Sequence, residues 1–299
     1  MTLLLPSELA HGYKSASQQA RVVTEGWGEQ NLFCPNCLSS NLSRQRDNTK
    51  VVDFVCLSCG FRYQLKGQKS QLGVSIPDGA YGAMMEAIRD DALPSMYFLH
   101  YDLATWSVRN LLLVPHFAFP PSAIIRRKPL SPTARRHGWV GCNFDLSRVP
   151  ADARIPLVIT RGRGRESAPS SPWAGREGEG LPTPAATVIV PPEQVREQFR
   201  RVKPLAGIAV TERGWTLDVL NIVAAVCDRR SLPTPTPGAH RAPPPPKEFT
   251  NADIYAHARE LEQLHPGNRH VKDKIRQQLQ VLRDAGLLIH AGRGAWRLP

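Results

Sequence analysis

The sequence lacks any apolar run that approaches the ~20 residues a membrane-spanning helix requires. Its first nine residues, MTLLLPSEL, contain three leucines, but no basic residue precedes them and a proline stands at position 6. A secretory signal peptide has a basic start and a longer apolar core, so this segment does not match one. These absences exclude a membrane-spanning protein and predict a soluble, cytoplasmic protein with no membrane partner.

Acidic residues are scarce, since 26 Asp and Glu face 38 Lys and Arg, which gives a formal net charge of +12. Lysine is scarce as well: nine of the basic residues are lysine and 29 are arginine. The planar guanidinium group pairs with phosphate and with guanine edges better than an ammonium group does. The composition therefore predicts a nucleic-acid partner.

The chain is not poor in apolar residues, which make up 41% of it, so packed cores are expected and wholesale disorder is excluded. Proline is in excess, with 27 of 299 residues, or about 9% against a usual ~5%. Much of the excess lies at residues 160–192 and 231–246, which we predict to be loop insertions. Elsewhere the spacing of apolar residues predicts a mixed α/β (α+β) fold. Helices are expected at Ser15–Thr24, Tyr81–Ile88, Glu193–Arg201 and Thr216–Val226. Strands are expected at Val51–Val55, Arg62–Lys66, Met96–Tyr101 and Asn110–Pro115.

Cysteine is limited to six residues, and four of them form two Cys-x-x-Cys pairs, Cys34/Cys37 and Cys56/Cys59, separated by 18 residues. This spacing is typical of a structural zinc site with four thiolate ligands. Gly60 follows the second pair, where a turn of this kind favours a residue that tolerates positive φ. Two redox-active pairs, or a chance arrangement of cysteines, are the alternatives.

The last fifty residues have the pattern of a winged helix-turn-helix. A helix is expected from Thr250 to Leu264 and a second from His270 to Ala285, followed by two strands around a glycine-rich wing. The polar face of the second helix should lie in the major groove of DNA, where Gln and Arg recognise adenine and guanine edges. That face carries Lys272, Lys274, Arg276, Gln277, Gln278, Gln280 and Arg283; of these we expect Lys272, Arg276 and Gln277, with Arg293 of the wing, to contact DNA. A charged face that contacts only a partner protein is the alternative.

Three polar residues around the second cysteine pair form a candidate catalytic group. Asp53 lies at the start of a strand-like run, and Gln64 and Lys66 lie two residues apart on the next predicted strand, so their side chains share a face. A carboxylate and an amide oxygen are suitable ligands for Mg²⁺, and an adjacent ammonium group suits an attacking water and a phosphate. The alternative is a turn aspartate and a surface lysine. Glu25, on the first predicted helix, is expected to be a solvated acid, and a position near the metal is the alternative.

Longer motifs extend over most of the chain and carry a resemblance to a known family. They are Tyr13-Lys-Ser15, Gln19-Ala-Arg21, Cys34-Pro-Asn-Cys37, Val52-Asp-Phe54, Leu65-Lys66, Asp78-Gly-Ala-Tyr81, Arg127–Arg136, Gly138-Trp139, Gly141-Cys-Asn143, Arg213-Gly-Trp215 and Lys274–Gln280. In these motifs the sequence resembles the methyl-directed restriction endonucleases of the DpnI, or Dam-replacing, family. The resemblance implies a PD-(D/E)xK nuclease domain with a zinc module, here residues 1–203, and a winged-helix domain, here residues 204–299. It also implies Mg²⁺-dependent cleavage of double-stranded DNA at G-A-T-C sites that carry N6-methyladenine, with both domains recognising the site. We expect a monomer.

Five basic residues without an intervening acid precede Trp139, and their phosphate contacts would supply salt-dependent affinity. They are Arg126, Arg127, Lys128, Arg135 and Arg136. The flat indole of Trp139 is suited to detecting a methyl group on adenine, although a core tryptophan is the alternative.

The sequence departs from the family pattern at Gln64, where the family has a glutamate. A neutral oxygen still binds Mg²⁺ but holds it with one negative charge less. The departure leaves two alternatives to a nuclease, an attenuated protein that binds methylated DNA and a zinc-containing winged-helix regulator.

Overall fold

A mixed sheet organises the first part of the chain, and residues 95–99 in its middle are buried on both faces. The structure is a computed structural model that describes residues 1–46, 52–160, 187–230 and 248–299. Within these residues the sheet has seven strands in the order β1-β2-β3-β5-β6-β9-β10, and only the β3–β5 pair is parallel. Its strands are β1 (Ser43–Arg44), β2 (Phe54–Val55), β3 (Arg62–Gln68), β5 (Ser95–Asp102), β6 (Ser107–Val114), β9 (Ile155–Thr160) and β10 (Thr187–Ile189).

Strand β3 shows the alternation expected of a sheet that has one well-packed face. Tyr63 and Leu65 are buried, whereas Gln64 and Lys66 are half-buried and point to the opposite face. Its neighbour β5 is apolar from Met96 to Leu99 without alternation, because both of its faces are covered. Gln64 and Lys66 thus share one face of β3, as their spacing predicted.

Helix α1 (Ala16–Asn31) packs closely on β3 and extends one to two turns beyond the predicted Ser15–Thr24. The approach depends on glycine: a Cβ atom on Gly28 would lie 2.8 Å from the ring of Phe54 and 3.1 Å from Leu65. Trp27, in the same turn, is fully buried. Residues 23–28 of α1 are therefore part of the core, whereas Glu29 and Gln30 of its last turn are exposed.

The chain forms two compact units. The first contains residues 1–72, 94–114 and 155–199, and the second contains residues 73–93, 115–154 and 200–299. The second unit thus combines a middle region with the C-terminal residues, whereas the division into 1–203 and 204–299 was expected from the family resemblance and stays a prediction. Its middle region consists of the sheet β4-β8-β7 and helix α2, with bounds β4 (Ser75–Ala80), α2 (Tyr81–Arg89), β7 (Ile124–Arg126) and β8 (Gly141–Asp145).

The C-terminal residues of the second unit form helices around a small sheet, as the winged helix-turn-helix pattern predicted. Three strands pair in the order β11-β13-β12 among the described residues. The expected helix from Thr250 to Leu264 is interrupted at Ala256–His257 and forms two short helices, of which the first begins with a Thr250–Asp253 capping box. The elements are α4 (Val210–Arg230), β11 (Glu248–Thr250), α5 (Asn251–Tyr255), α6 (Ala258–Leu264), α7 (Val271–Asp284), β12 (Ile289–Gly292) and β13 (Ala295–Arg297).

Most of the first predicted loop insertion and all of the second lie outside the described residues. Of the stretch 160–192, residues 161–186 are not described, but Thr187–Ile189 form β10, which pairs with β9, so this end of the stretch has regular structure. Helix α3 (Pro192–Val202) follows, close to the predicted Glu193–Arg201. The stretch 231–246 lies entirely outside the described residues. No helix in the described ranges is both long enough and apolar enough to cross a membrane.

Candidate functional site

Asp53 lies against the middle of β3. Its backbone N–H donates to the carbonyl of Tyr63 at 2.9 Å, and its Oδ2 accepts a hydrogen bond from the N–H of Leu65 at 2.8 Å. Leu65 is flanked by Gln64 and Lys66 in the sequence, so the carboxylate is held at the strand that carries both. The structure thereby brings together the three residues of the candidate catalytic group.

The side-chain oxygen of Gln64 is buried, and within the described part of the chain it has no hydrogen-bond partner. An amide oxygen buried without a partner is costly, so an observed case calls for an explanation such as a bound ion. Hard oxygen atoms from a carboxylate and an amide are what Mg²⁺ prefers. The donor set formed by Asp53 and Gln64 therefore fits a divalent cation.

Glu25 also belongs to this site, and its expected role as a solvated acid is wrong. The residue is only 8% exposed. Its Oε1 lies 2.7 Å from Nε of Arg21, and its Oε2 lies 2.8 Å from a terminal nitrogen of Arg44. One signal was available in the sequence: glycines at 26 and 28 mark a helical turn that approaches another element closely.

The charges around Asp53 explain its protonation behaviour. Burial raises the pKa of its carboxyl group above the ordinary value, and the hydrogen bond from Leu65 opposes this. The negative charge of Glu25 raises the pKa further, whereas Lys66 and Arg21 lower it. An ionised Asp53 at neutral pH is thus favoured by an additional positive charge, which a metal ion would supply.

The four cysteines of the two pairs form one cluster. Their sulfur atoms all lie within 4.8 Å of one another, and the Cys34–Cys59 and Cys37–Cys56 sulfurs are 3.5 Å apart. Four sulfurs around one zinc ion are separated by about 3.8 Å, because each lies ~2.3 Å from the metal. Among the described residues, these four cysteines are the set of three or more His, Cys, Asp or Glu side chains that lie close enough together to hold a metal ion. Gly60 has φ of +75°, as its place after the second pair predicted.

The thiols of this cluster differ in how readily they ionise. Burial raises the pKa of Cys34. Burial also opposes the ionisation of Cys56, but hydrogen bonds from the backbone of Cys59 and Ser58 outweigh it and lower the pKa to about 6. A cation beside Cys34 would be needed for its thiolate to persist. The cluster could therefore hold a metal such as zinc.

Contacts outside the cysteines attach the cluster to the rest of the first unit. The hydroxyl of Tyr63, on β3, lies 3.1 Å from the sulfur of Cys34. Arg196 of α3 donates through Nε to the carbonyls of Cys34 and Cys37, at 3.3 and 2.9 Å. Cys56 comes three residues after Asp53. The cluster consequently holds both the segment of Asp53 and the strand of Gln64 and Lys66.

Residues 126–139, which we call the basic hairpin, connect β7 and β8 in the second unit. Backbone hydrogen bonds join Arg127 to Gly141 and Leu130 to Trp139, both at 2.9 Å. Trp139 is half-buried and its ring covers Gly141, where a Cβ atom would meet it at 2.8 Å. The five basic side chains predicted to contact DNA are all exposed: Arg126, Arg127, Lys128, Arg135 and Arg136. The hairpin therefore presents a positively charged surface beside a partly accessible indole.

Helix α7, which we call the recognition helix, has one face in the core and one face exposed. Lys272, Arg276 and Gln277 are exposed, and Arg293 is exposed in the turn between β12 and β13. Gln278 does not belong to the polar face on which its spacing placed it. It is fully buried, and its Oε1 accepts a hydrogen bond from Thr216 of α4 at 2.5 Å.

Together, a mixed α/β fold, a C-terminal helix-turn-helix domain and a four-cysteine cluster that could hold a metal ion are typical of the DNA-binding class of proteins. The family model described as DpnI: Dam-replacing family matches residues 1–167, and the model described as DpnI_C: Dam-replacing HTH domain matches residues 245–298. The chain belongs to the DpnI, or Dam-replacing, family. This membership confirms the predicted fold class and supports nuclease activity in general.

Proposed function

We propose that the protein is a methyl-directed type II restriction endonuclease, which hydrolyses double-stranded DNA with Mg²⁺ at G-A-T-C sites that carry N6-methyladenine. One observation carries the proposal: a buried oxygen of Gln64 without a described partner lies on the strand that also binds the Asp53 carboxylate. Family membership supports the nuclease class. The choice of methylated G-A-T-C follows from the resemblance.

Asp53 and Gln64 would hold the catalytic Mg²⁺. When bound, the ion supplies Lewis-acid activation of the scissile phosphate and of a water molecule. Lys66 projects from the same face of β3 as Gln64 and orients the attacking water, while its positive charge offsets the negative charge that develops on the phosphate. Burial of the Asp53 carboxyl restricts water at the site, so these charges interact more strongly than in bulk solvent.

The four cysteines would bind a structural Zn²⁺. Their sulfur separations suit a tetrahedral site, and Arg196 braces the carbonyls of the first pair. Zinc would contribute to folding rather than to hydrolysis, because all four sulfurs are ligands and no position is left for substrate.

DNA would be recognised by the exposed elements of the second unit. The basic hairpin would contact phosphates and place Trp139 against the methyl group of adenine. The recognition helix would enter the major groove with Lys272, Arg276 and Gln277, and Arg293 of the wing would contact the backbone.

A DNA digest tests the proposal directly. A plasmid with methylated G-A-T-C sites, the same plasmid without methylation, and a methylated plasmid that lacks the sites are each incubated with the protein and Mg²⁺. We expect cleavage of the first plasmid alone, and none when the metal is chelated. A folded Lys66→Ala variant should bind the methylated plasmid but not cut it; normal cleavage by this variant would refute the assignment of the active site.

A second candidate function is binding of methylated DNA without cleavage. It is favoured by the neutral Gln64 and by Glu25, whose charge is engaged by Arg21 and Arg44. In the same digest, retention of the methylated plasmid without cleavage would select this candidate. Equal retention of methylated and unmethylated plasmid would indicate a winged-helix regulator that does not sense methylation.

A further inference from the structure

Asp218, on α4 in the second unit, is a buried acid with two side-chain partners. It is 4% exposed. Its Oδ1 accepts a hydrogen bond from the hydroxyl of Ser122 at 2.6 Å, and its Oδ2 lies 2.8 Å from Nε2 of His265. A carboxylate is costly to bury unless its oxygens are paired, and here each oxygen has its own partner.

These two partners lead directly into the elements proposed to contact DNA. Ser122 lies in the turn just before β7, four residues ahead of Arg126, where the basic hairpin begins. His265 is the C-cap of α6, six residues ahead of Val271, the first residue of the recognition helix. Asp218 thus connects the base of the hairpin to the turn that positions the recognition helix.

Neighbouring residues of α4 reinforce the same connection. Trp215 stacks on the His265 ring with 4.0 Å between the ring centroids and an angle of 17°. Asn221 donates to the carbonyl of Ser147, which follows β8, at 2.9 Å. Other residues of α4, among them Val219 and Val223, are part of the winged-helix core. One helix therefore belongs to the core of the winged helix and also binds the region that carries the hairpin.

We propose that Asp218 is a positioning residue that determines the specificity for methylated sites, because it fixes the basic hairpin and the recognition helix in one geometry. This inference rests on the proposed function. Discrimination between two sites requires that all specific contacts form together, whereas phosphate contacts tolerate changes in geometry. Loss of the contacts that Asp218 makes with Ser122 and His265 should therefore lower the preference for methylated DNA more than it lowers general affinity for DNA.

The test measures binding of the full-length protein to short duplexes, one fully methylated at G-A-T-C and one unmethylated, with Ca²⁺ in place of Mg²⁺ to prevent cleavage. The variants are Asp218→Ala, Ser122→Ala, which removes the contact to the hairpin, and His265→Phe, which keeps a ring against Trp215. The readout is a ratio, the dissociation constant for the unmethylated duplex divided by that for the methylated duplex. A purely structural role lowers the fraction of active protein but leaves this ratio unchanged.

We expect each variant to lower the ratio by about fivefold, in line with coupling energies carried through packed networks. Because all three act through one carboxylate, the double variants of Asp218→Ala with either partner should lower it no further. The control is Val226→Ala, which creates a cavity beside the same helix but away from Asp218. This variant should have a lower melting temperature and an unchanged ratio of dissociation constants.

An unchanged ratio in Asp218→Ala, or additive losses in the double variants, would overturn the inference and leave the proposed function intact. If Asp218→Ala does not fold, the ratios measured for Ser122→Ala and His265→Phe decide instead, and unchanged ratios in both would overturn the inference. A ratio of one for the unsubstituted protein would refute methyl recognition itself, and the inference with it.

Discussion

The hydroxyl of Tyr63 lies 3.1 Å from the sulfur of Cys34, so β3 connects the four-cysteine cluster to the candidate catalytic residues. Gln64 follows Tyr63 directly, and the Tyr63 carbonyl accepts the N–H of Asp53. Tyr63 therefore contacts both the cluster and Asp53, so a structural change in the cluster should alter the position of Asp53 through this one residue.

Tyr63→Phe should weaken metal retention by the cluster. Partners of metal ligands typically change metal affinity by about 10- to 100-fold, so we expect zinc to be removed at roughly tenfold lower chelator concentration. Zinc release is followed with a colorimetric indicator during a chelator titration. The matched control is Tyr97→Phe, which removes a hydrogen bond to the carbonyl of Phe33 but no sulfur contact. Equal chelator sensitivity of both variants would show that Tyr63 contributes only to packing.

Glu25→Gln should reduce both stability and cleavage. The variant leaves Arg21 and Arg44 beside a neutral amide, and because both arginines are partly exposed we expect a loss of about 1–2 kcal/mol in unfolding free energy. Cleavage should fall by more than stability explains, because the variant removes a negative charge near Asp53 and so weakens the electrostatic hold on Mg²⁺, which outweighs the easier ionisation of Asp53. Urea unfolding and the rate of plasmid cleavage are measured side by side. Glu29→Gln, an exposed acid on the same helix, should change neither; a loss of stability without slower cleavage would place Glu25 outside the site.

Gln64→Glu should increase cleavage of methylated DNA and lower the Mg²⁺ concentration needed for half-maximal rate. A second carboxylate at this position adds a full negative charge to the metal site, and we expect about a tenfold gain. Gln68→Glu places the same charge on the same face of β3, four residues away, and serves as the control. An equal gain in both variants would indicate a general effect of charge, and a loss at position 64 alone would mean that the native site is adapted to the amide.

The local parts of this architecture could be predicted from the sequence, because they depend on short spacings. The cysteine pairs predicted the cluster, and the two-residue period of β3 predicted the shared face of Gln64 and Lys66. The burial of Gln278 could not be predicted, because helical spacing placed it on the polar face and the packing of α4 determines its environment. The burial of Glu25 likewise depends on the approach of α1 to β3. Long-range pairs such as Asp218 with Ser122, 96 residues apart, leave no periodic signal.

Trp139 and Arg127 lie on one hairpin but should affect DNA binding differently. Trp139→Ala should lower the preference for methylated over unmethylated duplex by about fourfold, because contact with one methyl group contributes ~0.8 kcal/mol. Arg127→Ala should weaken binding to both duplexes equally and reduce the slope of log affinity against log salt by about one. Trp139→Phe should keep part of the preference, since its smaller ring still offers an apolar face. The measurement is a salt series of dissociation constants for both duplexes. If Trp139→Ala instead weakens binding to both duplexes alike, the indole supports the hairpin without sensing the methyl group, and its packing over Gly141 would be its main role.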